Sequence, residues 1–308
     1  MDLRQLRAFV AVAHDRSFTR AAQRLRVAQP ALSQQIHALE QELGVLLVER
    51  SNRTSGLTQA GTALLGRAER ILAELHDAAA EMTDWVGLRK GIVRIGSALQ
   101  TLAEGCLPLL LADFHQRHPG IRIVLHEEHT EQVLHLLLRG QVDLGLIHLA
   151  RVGRGPLVGA GGRIDDLALV QLYSEPLVLA LAAAHRLAGR EKVRLAELRD
   201  EPFVAFRPGS TVRRALMLGA HNCGFRPNIA FSTANIGTVR AFVSAGLGVA
   251  VVPESALAMA GPPLVAVRLV QPRMERIVTL ARNTARYESA GVAAVRRLLT
   301  DRIRGLRA

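Results

Sequence analysis

Residues 17–44 read SFTRAAQRLRVAQPALSQQIHALEQELG and decide the fold of the N-terminal part of the chain. Ser17 is suited to cap a helix, and the apolar residues after it recur at the 3.6-residue helical period. A second helix is predicted to begin near Gln29-Pro30, because proline is tolerated in a first turn, and to end at Gly44. Two helices joined by about three residues predict a helix-turn-helix. The buried stripe of the second helix is predicted to be Leu32, Ile36, Leu39 and Leu43.

The polar face of this second helix carries residue types that read DNA bases. Gln29, Ser33, Gln34 and His37 lie opposite the apolar stripe, and the first two turns contain neither lysine nor glutamate. Short amide and hydroxyl side chains can hydrogen-bond to base edges in a major groove. Two helices joined by a short turn also occur in any small helical bundle, and in that case the polar face would simply be solvated. The composition of the face favours contact with double-stranded DNA.

A turn-rich segment, Val45 to Thr58, follows the polar helix. It carries Arg50 and Arg53, which suit a wing that lies along the DNA backbone with arginine on phosphate or in the minor groove. The alternative is an ordinary surface hairpin with solvated arginines. The position directly after the polar helix favours the wing.

Residues 59–89 contain one long helical pattern without proline. Its apolar residues follow steps of four and three, which is the heptad spacing of a helix that packs along another helix. A helix of this length extends about 45 Å and is too narrowly apolar to be covered by one small domain. Pairing of two copies is therefore favoured over burial within the same chain. The dimerisation seam is predicted to be Leu64, Ala68, Ile71, Leu75, Ala78, Met82 and Trp85.

From Gly91 onward, apolar strand-like runs alternate with helical patterns, which predicts an α/β architecture. In open α/β sheets, ligands bind at the carboxyl ends of strands, where helix N-termini present free amides to anions. Each polar residue at such a position could instead simply cap its own helix. The candidate ligand-binding residues are Ser97, Thr101, His129, Thr130, His148, Ser210, Thr211, Thr233 and Asn235.

Charge and composition restrict the class of protein. The 308 residues include 39 basic and 27 acidic ones, a net charge of +12, and 49% are apolar, which excludes wholesale disorder. Nearly all the basic residues are arginine, which binds phosphate and carboxylate, although genomic composition bias explains the excess equally well. A group of three arginines near one turn favours a small anionic ligand, namely Arg207, Arg213 and Arg214.

Several kinds of chemistry are not expected. Cys106 and Cys223 are too far apart for a disulfide framework, and no apolar run approaches the ~20 residues of a membrane helix. These features predict a soluble cytoplasmic protein without a secretory signal or a membrane partner. The sequence His126-Glu127-Glu128-His129 directs its histidines to opposite faces of a strand, so no metal site is expected. No hydrolase elbow or phosphate loop occurs, and neither an enzyme nor a cofactor is expected.

The chain resembles the LysR-type transcriptional regulators. The resemblance spans about sixty N-terminal residues with their internal spacing intact, and it continues at four later positions. The matching N-terminal stretches are Ser17–Leu25, Gln29–Ile36, Leu39-Glu40, Leu43–Val45, Glu49-Arg50 and Leu57–Gly61. The later ones are Leu107-Pro108, Val142–Leu144, Glu201–Phe203 and Ala245–Pro253.

This resemblance implies an α+β multidomain protein with a winged helix-turn-helix at 1–58 and a linker helix at 59–89. It implies an effector-binding domain at 90–308 that resembles type 2 periplasmic binding proteins, with a small effector between its lobes. Lobe I is expected at about 90–162 and 266–308, and lobe II at about 163–265. The implied partners are operator DNA, a second copy or three further copies of the chain (homodimer or homotetramer), and RNA polymerase.

Carried over residue by residue, the resemblance places Gln29, Pro30, Ser33 and Gln34 at the bases and Arg53 on the wing. The chain departs from the family at two positions. Many members have arginine where Gln34 stands, and Ala28 stands where a serine or threonine often caps the helix. Two other classes of protein stay open on the residues alone. An enzyme or solute-binding protein with an associating N-terminal bundle predicts no duplex affinity, and an architectural DNA binder predicts equal affinity for every sequence.

Overall fold

The computed structural model describes residues 1–50, 55–84, 90–98, 106–158 and 166–305. The chain forms two compact units, one comprising Met1–Val86 with Arg139–Gln141 and the other Gly87–Leu138 with Val142–Ala308. Among the helices of the described residues, none combines the length and the apolar character needed to cross a bilayer.

The N-terminal unit begins with three helices, α1 (Leu3–Asp15), α2 (Phe18–Leu25) and α3 (Gln29–Leu43). The Ser17 hydroxyl accepts a hydrogen bond from the Arg20 amide and caps α2, as predicted. Arg26 adopts the left-handed conformation with φ of 56° and ends α2. Gly44, with φ of 69°, ends α3, as predicted from its freedom at positive φ.

The stripe predicted for α3 is buried except at its end. Leu32, Ile36 and Leu39 are fully buried in the core of the N-terminal unit. Leu43, by contrast, is 39% exposed, so its predicted burial is wrong. Leu43 is the last residue of α3, directly before the left-handed Gly44 that ends the helix. At this end of the helix its side chain is not covered by the core of the N-terminal unit.

A two-stranded antiparallel sheet forms the predicted wing, with β1 at Val48–Arg50 and β2 at Ser55–Leu57. The carboxylate of Glu40 on α3 is buried and accepts hydrogen bonds from the amides of Leu47 (2.8 Å) and Val48 (3.1 Å). The sequence gives no sign of this bond, which connects residues seven and eight positions apart. The wing is therefore fixed to α3 by a buried charge-assisted hydrogen bond.

The linker helix α4 runs from Gln59 to Asp84. Its first turns pack on the N-terminal core through Leu64, Leu65 and Ala68. At Gly61 a Cβ atom would lie 2.1 Å from the carbonyl oxygen of Leu47, so the start of α4 lies directly against the backbone that precedes β1. Only glycine permits this approach.

The second unit is an α/β domain whose first half follows the predicted alternation of strands and helices. Its elements are β3 (Gly91–Ser97), α5 (Cys106–Arg117), β4 (Ile121–Glu127), α6 (Thr130–Leu138), β5 (Leu144–Val152), β6 (Leu157–Val158) and β7 (Leu167–Leu181). Strands β4, β3 and β5 are parallel neighbours, as predicted.

The second half contains a further series of strands and helices and returns to the first. Its strands are β8 (Lys192–Arg194), β9 (Pro202–Phe206), β10 (Asn228–Thr233), β11 (Ala250–Pro253), β12 (Val265–Gln271) and β13 (Met274–Asn283). Its helices are α7 (Thr211–Asn222), α8 (Ile236–Ser244) and α9 (Ala290–Gly305), with short 3₁₀ turns at Leu195–Leu198 and Glu254–Ala258.

Strand β7 belongs to both lobes of this domain. Its residues 167–176 pair with β13, which also pairs with β5, and its residues 177–181 pair with β11 and β12. The strand pairing differs from the boundaries expected at about 163 and about 266, because residues 167–176 join lobe I and β12 joins lobe II. The hydrophobic clusters agree, since Leu172 packs in the core of lobe I and Val267 in that of lobe II.

Candidate functional site

The residues predicted to read DNA lie on the exposed side of α3. Gln29, Pro30, Gln34 and His37 are exposed, and Ser33 is half-buried. The imidazole Nε2 of His37 is 3.1 Å from the side-chain amide nitrogen of Gln41, one helical turn later. Arg50 lies in β1, and Arg53 lies outside the described residues. The structure thus leaves the polar groups of α3 free of the core, as contact with a DNA groove requires.

The predicted dimerisation seam divides into two parts. Ala68 is fully buried within its own chain, so its predicted place in an intermolecular seam is wrong, and Leu64 is half-buried against the same core. Farther along α4, Ile71 is 41%, Leu75 37% and Met82 60% exposed, and Ala78 is also exposed. Trp85 lies outside the described residues. The apolar stripe available to a second chain therefore begins at Ile71.

A cavity of about 300 Å³ lies in the C-terminal unit, at the carboxyl ends of β3 and β4 and at the N-termini of α6, α7 and α8. Six of the predicted ligand-binding residues line it, namely Ser97, His129, Thr130, His148, Ser210 and Thr211. This volume is at the lower end of the range for small-molecule sites, about 300–1,000 Å³.

Two predicted residues do not line the cavity. Asn235 caps α8, because its side-chain oxygen accepts a hydrogen bond from the Thr238 amide at 3.1 Å. The Thr233 hydroxyl accepts from the Asn235 amide at 3.3 Å. Both oxygens satisfy local backbone amides, so the structure does not bring these two residues to the cavity, and their assignment as ligand-binding residues stays a prediction. Thr101 lies outside the described residues.

Two threonine hydroxyls hold the backbone of His148 in place. Thr130 and Thr211 are the first residues of α6 and α7. The Thr211 hydroxyl donates to the His148 carbonyl at 3.1 Å, and the Thr130 hydroxyl accepts from the His148 amide at 3.2 Å. The N-termini of two helices thus meet at one residue of β5, where their free amides favour an anion.

The side chain of His148 lacks a polar partner at one nitrogen. Its Nε2 atom is buried and makes no hydrogen bond within the part of the chain that the structure describes. Burial, and to a lesser extent the positive charge of Arg276, lowers the pKa of His148 well below its usual value. The imidazole is therefore neutral near pH 7.

Arg276, which lines the cavity, belongs to a buried ion pair that was not predicted from the sequence. Arg276 on β13 donates from Nε to Glu175 on β7 at 2.8 Å, and a second bond joins its Nη2 to the same carboxylate oxygen. The other oxygen of Glu175 accepts from the Ser255 amide at 3.0 Å. The only hint in the sequence is that each charge interrupts an apolar strand.

The pKa of Glu175 reflects two opposing effects. Burial alone raises the pKa of this carboxyl, but the charge of Arg276 and the hydrogen bonds from Ser255 and Arg276 outweigh burial and lower it below 4.5. Glu175 is therefore ionised at neutral pH and balances the charge of Arg276.

Of the three arginines expected near an anionic ligand, only Arg207 lines the cavity. Arg213 donates to the Phe206 carbonyl at 2.9 Å, and Arg214 pairs with Glu131 at 3.0 Å, so the structure engages both elsewhere and does not bring them to the cavity. Glu127 and Glu128 line the exposed rim of the cavity.

Comparison with known proteins gives the same division of the chain. Residues 3–62 match the family described as "Bacterial regulatory helix-turn-helix protein, lysR family", and residues 87–304 match the "LysR substrate binding domain". The regulator AlsR of Bacillus subtilis is 33% identical over 258 residues, which cover 83% of this chain and 82% of AlsR.

Two further relatives extend the comparison. The "DNA-binding transcriptional dual regulator OxyR" of Escherichia coli is 33% identical over 264 residues, covering 85% of this chain and 81% of OxyR. The solved structure of full-length CbnR complexed with its target DNA is similar with a TM-score of 0.63 and 27% identity, over 97% of this chain and 99% of CbnR. These relatives are regulators and not enzymes. The chain therefore belongs to the LysR family of DNA-binding transcriptional regulators, which join a helix-turn-helix domain to an effector-binding domain.

Proposed function

We propose that this regulator reads its operator with the polar face of α3 and responds to a small anionic effector bound in the C-terminal cavity. Operator reading is supported by the position of the polar and apolar residues of α3 on opposite sides of the helix. Gln29, Gln34 and His37 are exposed, while Leu32, Ile36 and Leu39 on the opposite side are fully buried, so contact with bases does not disturb the core. The relative CbnR has been solved with its target DNA, which supports the same use of the N-terminal unit.

The anionic character of the effector follows from the depth of the charges. Helix N-termini and the side chains of His148 and Arg276 lie deep in the cavity, whereas Glu127 and Glu128 are exposed at its rim. Exposed charges are screened by water and salt, and buried donors are not. The deep hydrogen-bond donors therefore influence the charge of the bound effector more than the exposed carboxylates do. Thermal-shift measurements with paired acids and amides test this part, and stabilisation by neutral compounds alone would contradict it.

We further propose that the protein acts in the cytoplasm as a homodimer or homotetramer and contacts RNA polymerase at its promoter. Two linked DNA-binding units gain affinity through effective concentration and engage half-sites at a fixed spacing. Effector binding would change the packing of the protomers and thereby the spacing or bending of the DNA. Cross-linking of the promoter-bound protein to RNA polymerase tests the last contact.

The first prediction concerns base recognition. Gln29→Ala or Ser33→Ala should lower the discrimination between operator and unrelated duplex by about 1–3 kcal/mol, because a side chain that reads a base edge is lost. Arg53→Ala should weaken binding to all sequences alike and reduce the salt dependence. Gel shifts at two salt concentrations, with DNA from the gene's own upstream region, measure both effects.

The matched control is Gln23→Ala, which removes an exposed glutamine from α2 rather than from the polar face of α3. It should leave base preference unchanged. Equal affinity of the unmodified protein for operator and unrelated DNA would identify an architectural binder instead, and the absence of duplex binding would contradict the proposed function.

The second prediction concerns the exposed part of the α4 seam. Leu75→Asp should convert the dimer to a monomer and weaken operator binding about 10²-fold or more, because a charge replaces an apolar contact and avidity is lost. Analytical ultracentrifugation gives the oligomeric state. Arg70→Asp, at an exposed position beside the seam, should leave the dimer intact. A Leu75→Asp protein that remains dimeric would exclude this stripe as the contact.

A further inference from the structure

Arg276 carries an unused hydrogen-bond donor in the cavity. Its side chain is only 6% exposed, and it lines the cavity beside the N-termini of α6 and α7. Glu175 engages its Nε and Nη2 groups, and the Ser255 hydroxyl lies 3.3 Å from Nη2. The structure gives Nη1 no partner among the described residues. A buried guanidinium group with a free donor is suited to a carboxylate, which accepts hydrogen bonds from arginine in a fixed plane.

His148 lies next to Arg276 on the neighbouring strand. In the antiparallel register of β5 and β13, His148 is opposite Val278 and Arg276 is opposite Ala150, so the two side chains are diagonal neighbours on one face of the sheet. Both line the cavity. The buried Nε2 atom of His148 is thus a second polar group, without a partner among the described residues, beside the free donor of Arg276.

We propose that Arg276 Nη1 and His148 Nε2 together bind one carboxylate group of the effector and select it over an uncharged analogue. This inference rests on the proposed function and adds the chemical class of the ligand and the two residues that recognise it. Glu175 and Ser255 act as positioning residues, because they hold two sides of the guanidinium group and leave the third toward the cavity.

The charge balance favours a single carboxylate over a phosphate dianion. Glu175 already balances the charge of Arg276, and the other favourable groups are helix N-termini, each equivalent to roughly half a charge, the single proton that His148 can take up, and the exposed Arg207. A second full negative charge beside Arg276 would have only the partial charges of the helix N-termini to balance it, because the proton on His148 offsets the first carboxylate and Arg207 is screened by solvent, so its burial is unfavourable. The site therefore accommodates one negative charge.

Carboxylate binding should also be coupled to the uptake of a proton by His148. This histidine is neutral in the free protein because burial and Arg276 lower its pKa, whereas an adjacent carboxylate raises the pKa of an imidazole. Affinity should therefore rise as the pH falls, by at most about tenfold per pH unit for one proton. The other charged or titratable residues lining the cavity are Arg207, Glu127, Glu128 and His129.

The experiment uses the full-length protein with acetate, butyrate, inorganic phosphate and the neutral analogue acetamide, titrated to high millimolar concentration and followed by calorimetry and histidine NMR. We expect saturable binding of the two carboxylates and none of acetamide or phosphate. Arg276→Lys, which keeps the charge that Glu175 requires but loses the Nη1 donor, should weaken carboxylate binding about tenfold. His148→Gln should weaken it and abolish the dependence on pH.

Two controls isolate these effects. Thr233→Val alters a residue that does not line the cavity and should bind the carboxylates normally. The pH dependence is measured in a His129→Gln background, so that only His148 among the histidines of the cavity titrates. The imidazole signal that disappears in His148→Gln identifies the residue in the NMR spectrum.

Each outcome decides between the two proposals. Equal carboxylate binding by the unmodified, Arg276→Lys and His148→Gln proteins would overturn the recognition inference and leave an anionic effector in place. Binding of acetamide without the carboxylates would overturn the anionic effector as well. Failure of every probe would also overturn the inference, because the site as proposed requires only one carboxylate.

Discussion

Replacing Arg276 by methionine while Glu175 is retained is expected to lower the free energy of unfolding of the C-terminal unit by about 3–5 kcal/mol. Glu175 is fully buried, and the arginine supplies its balancing charge together with two hydrogen bonds. Without that partner, the carboxylate is left as an uncompensated charge in the interior. Urea denaturation followed by circular dichroism, with limited proteolysis to assign the transition, measures the loss.

The double variant Glu175→Gln with Arg276→Met is the matched control. It removes both charges, and the glutamine amide oxygen can still accept the hydrogen bond from the Ser255 amide. A buried ion pair exchanged for uncharged groups of similar size is often neutral for stability, so the double variant should recover most of the loss. Equal destabilisation in both variants would show that the cost comes from packing rather than from charge.

The pair of Glu175 and Arg276 also makes the free energy of unfolding of the C-terminal unit depend on pH in the acidic range. Because Glu175 has a lower pKa in the folded protein than in the unfolded chain, its contribution is present above about pH 4.5 and is lost as the pH falls through the folded pKa. The double variant should lose this component of the pH dependence.

Gly61→Ala is expected to destabilise the N-terminal unit by about 3 kcal/mol or more and to reduce operator binding. The new Cβ atom would lie 2.1 Å from the Leu47 carbonyl oxygen and 3.0 Å from its carbonyl carbon. Both neighbours are backbone atoms, and the adjacent amides of Leu47 and Val48 are held by Glu40. The chain can therefore relieve the clash only by displacing the wing or the start of α4. Thermal unfolding and gel shifts measure the two effects.

Gly66→Ala is the matched control in the same helix. No atom lies within 4 Å of the position of its Cβ, so the substitution meets open space. Alanine should stabilise α4 by about 0.5–1 kcal/mol, because glycine is the weaker helix former. If Gly61→Ala were as well tolerated as Gly66→Ala, the close approach of α4 to Leu47 would not exist in solution.

The sequence by itself determined the local elements and the exposed face of α3. Ser17 caps α2, Gly44 ends α3, and Leu32, Ile36 and Leu39 are buried, all as predicted. These features depend on residues within one or two helical turns, so periodicity and capping preferences are enough to predict them. The polar ends of β3 and β4 were predictable for the same reason, because strand ends follow from the alternation of apolar runs. His148, by contrast, was predicted to follow its strand, and this is wrong, since β5 continues through it to Val152.

Tertiary structure alone decided which of these residues meet. Arg276 and Glu175 are 101 positions apart, and no local pattern predicts that β7 and β13 place them side by side. Thr233 and Asn235 looked as suitable as Ser210 and Thr211, yet only the latter pair lines the cavity. The point where β7 passes from lobe I to lobe II, after Pro176, is likewise not predicted from β7 itself, because it depends on pairing with β11, β12 and β13 much later in the chain. Strand pairing is set by contacts between distant segments, and their free energy is not encoded in the neighbours of any one residue.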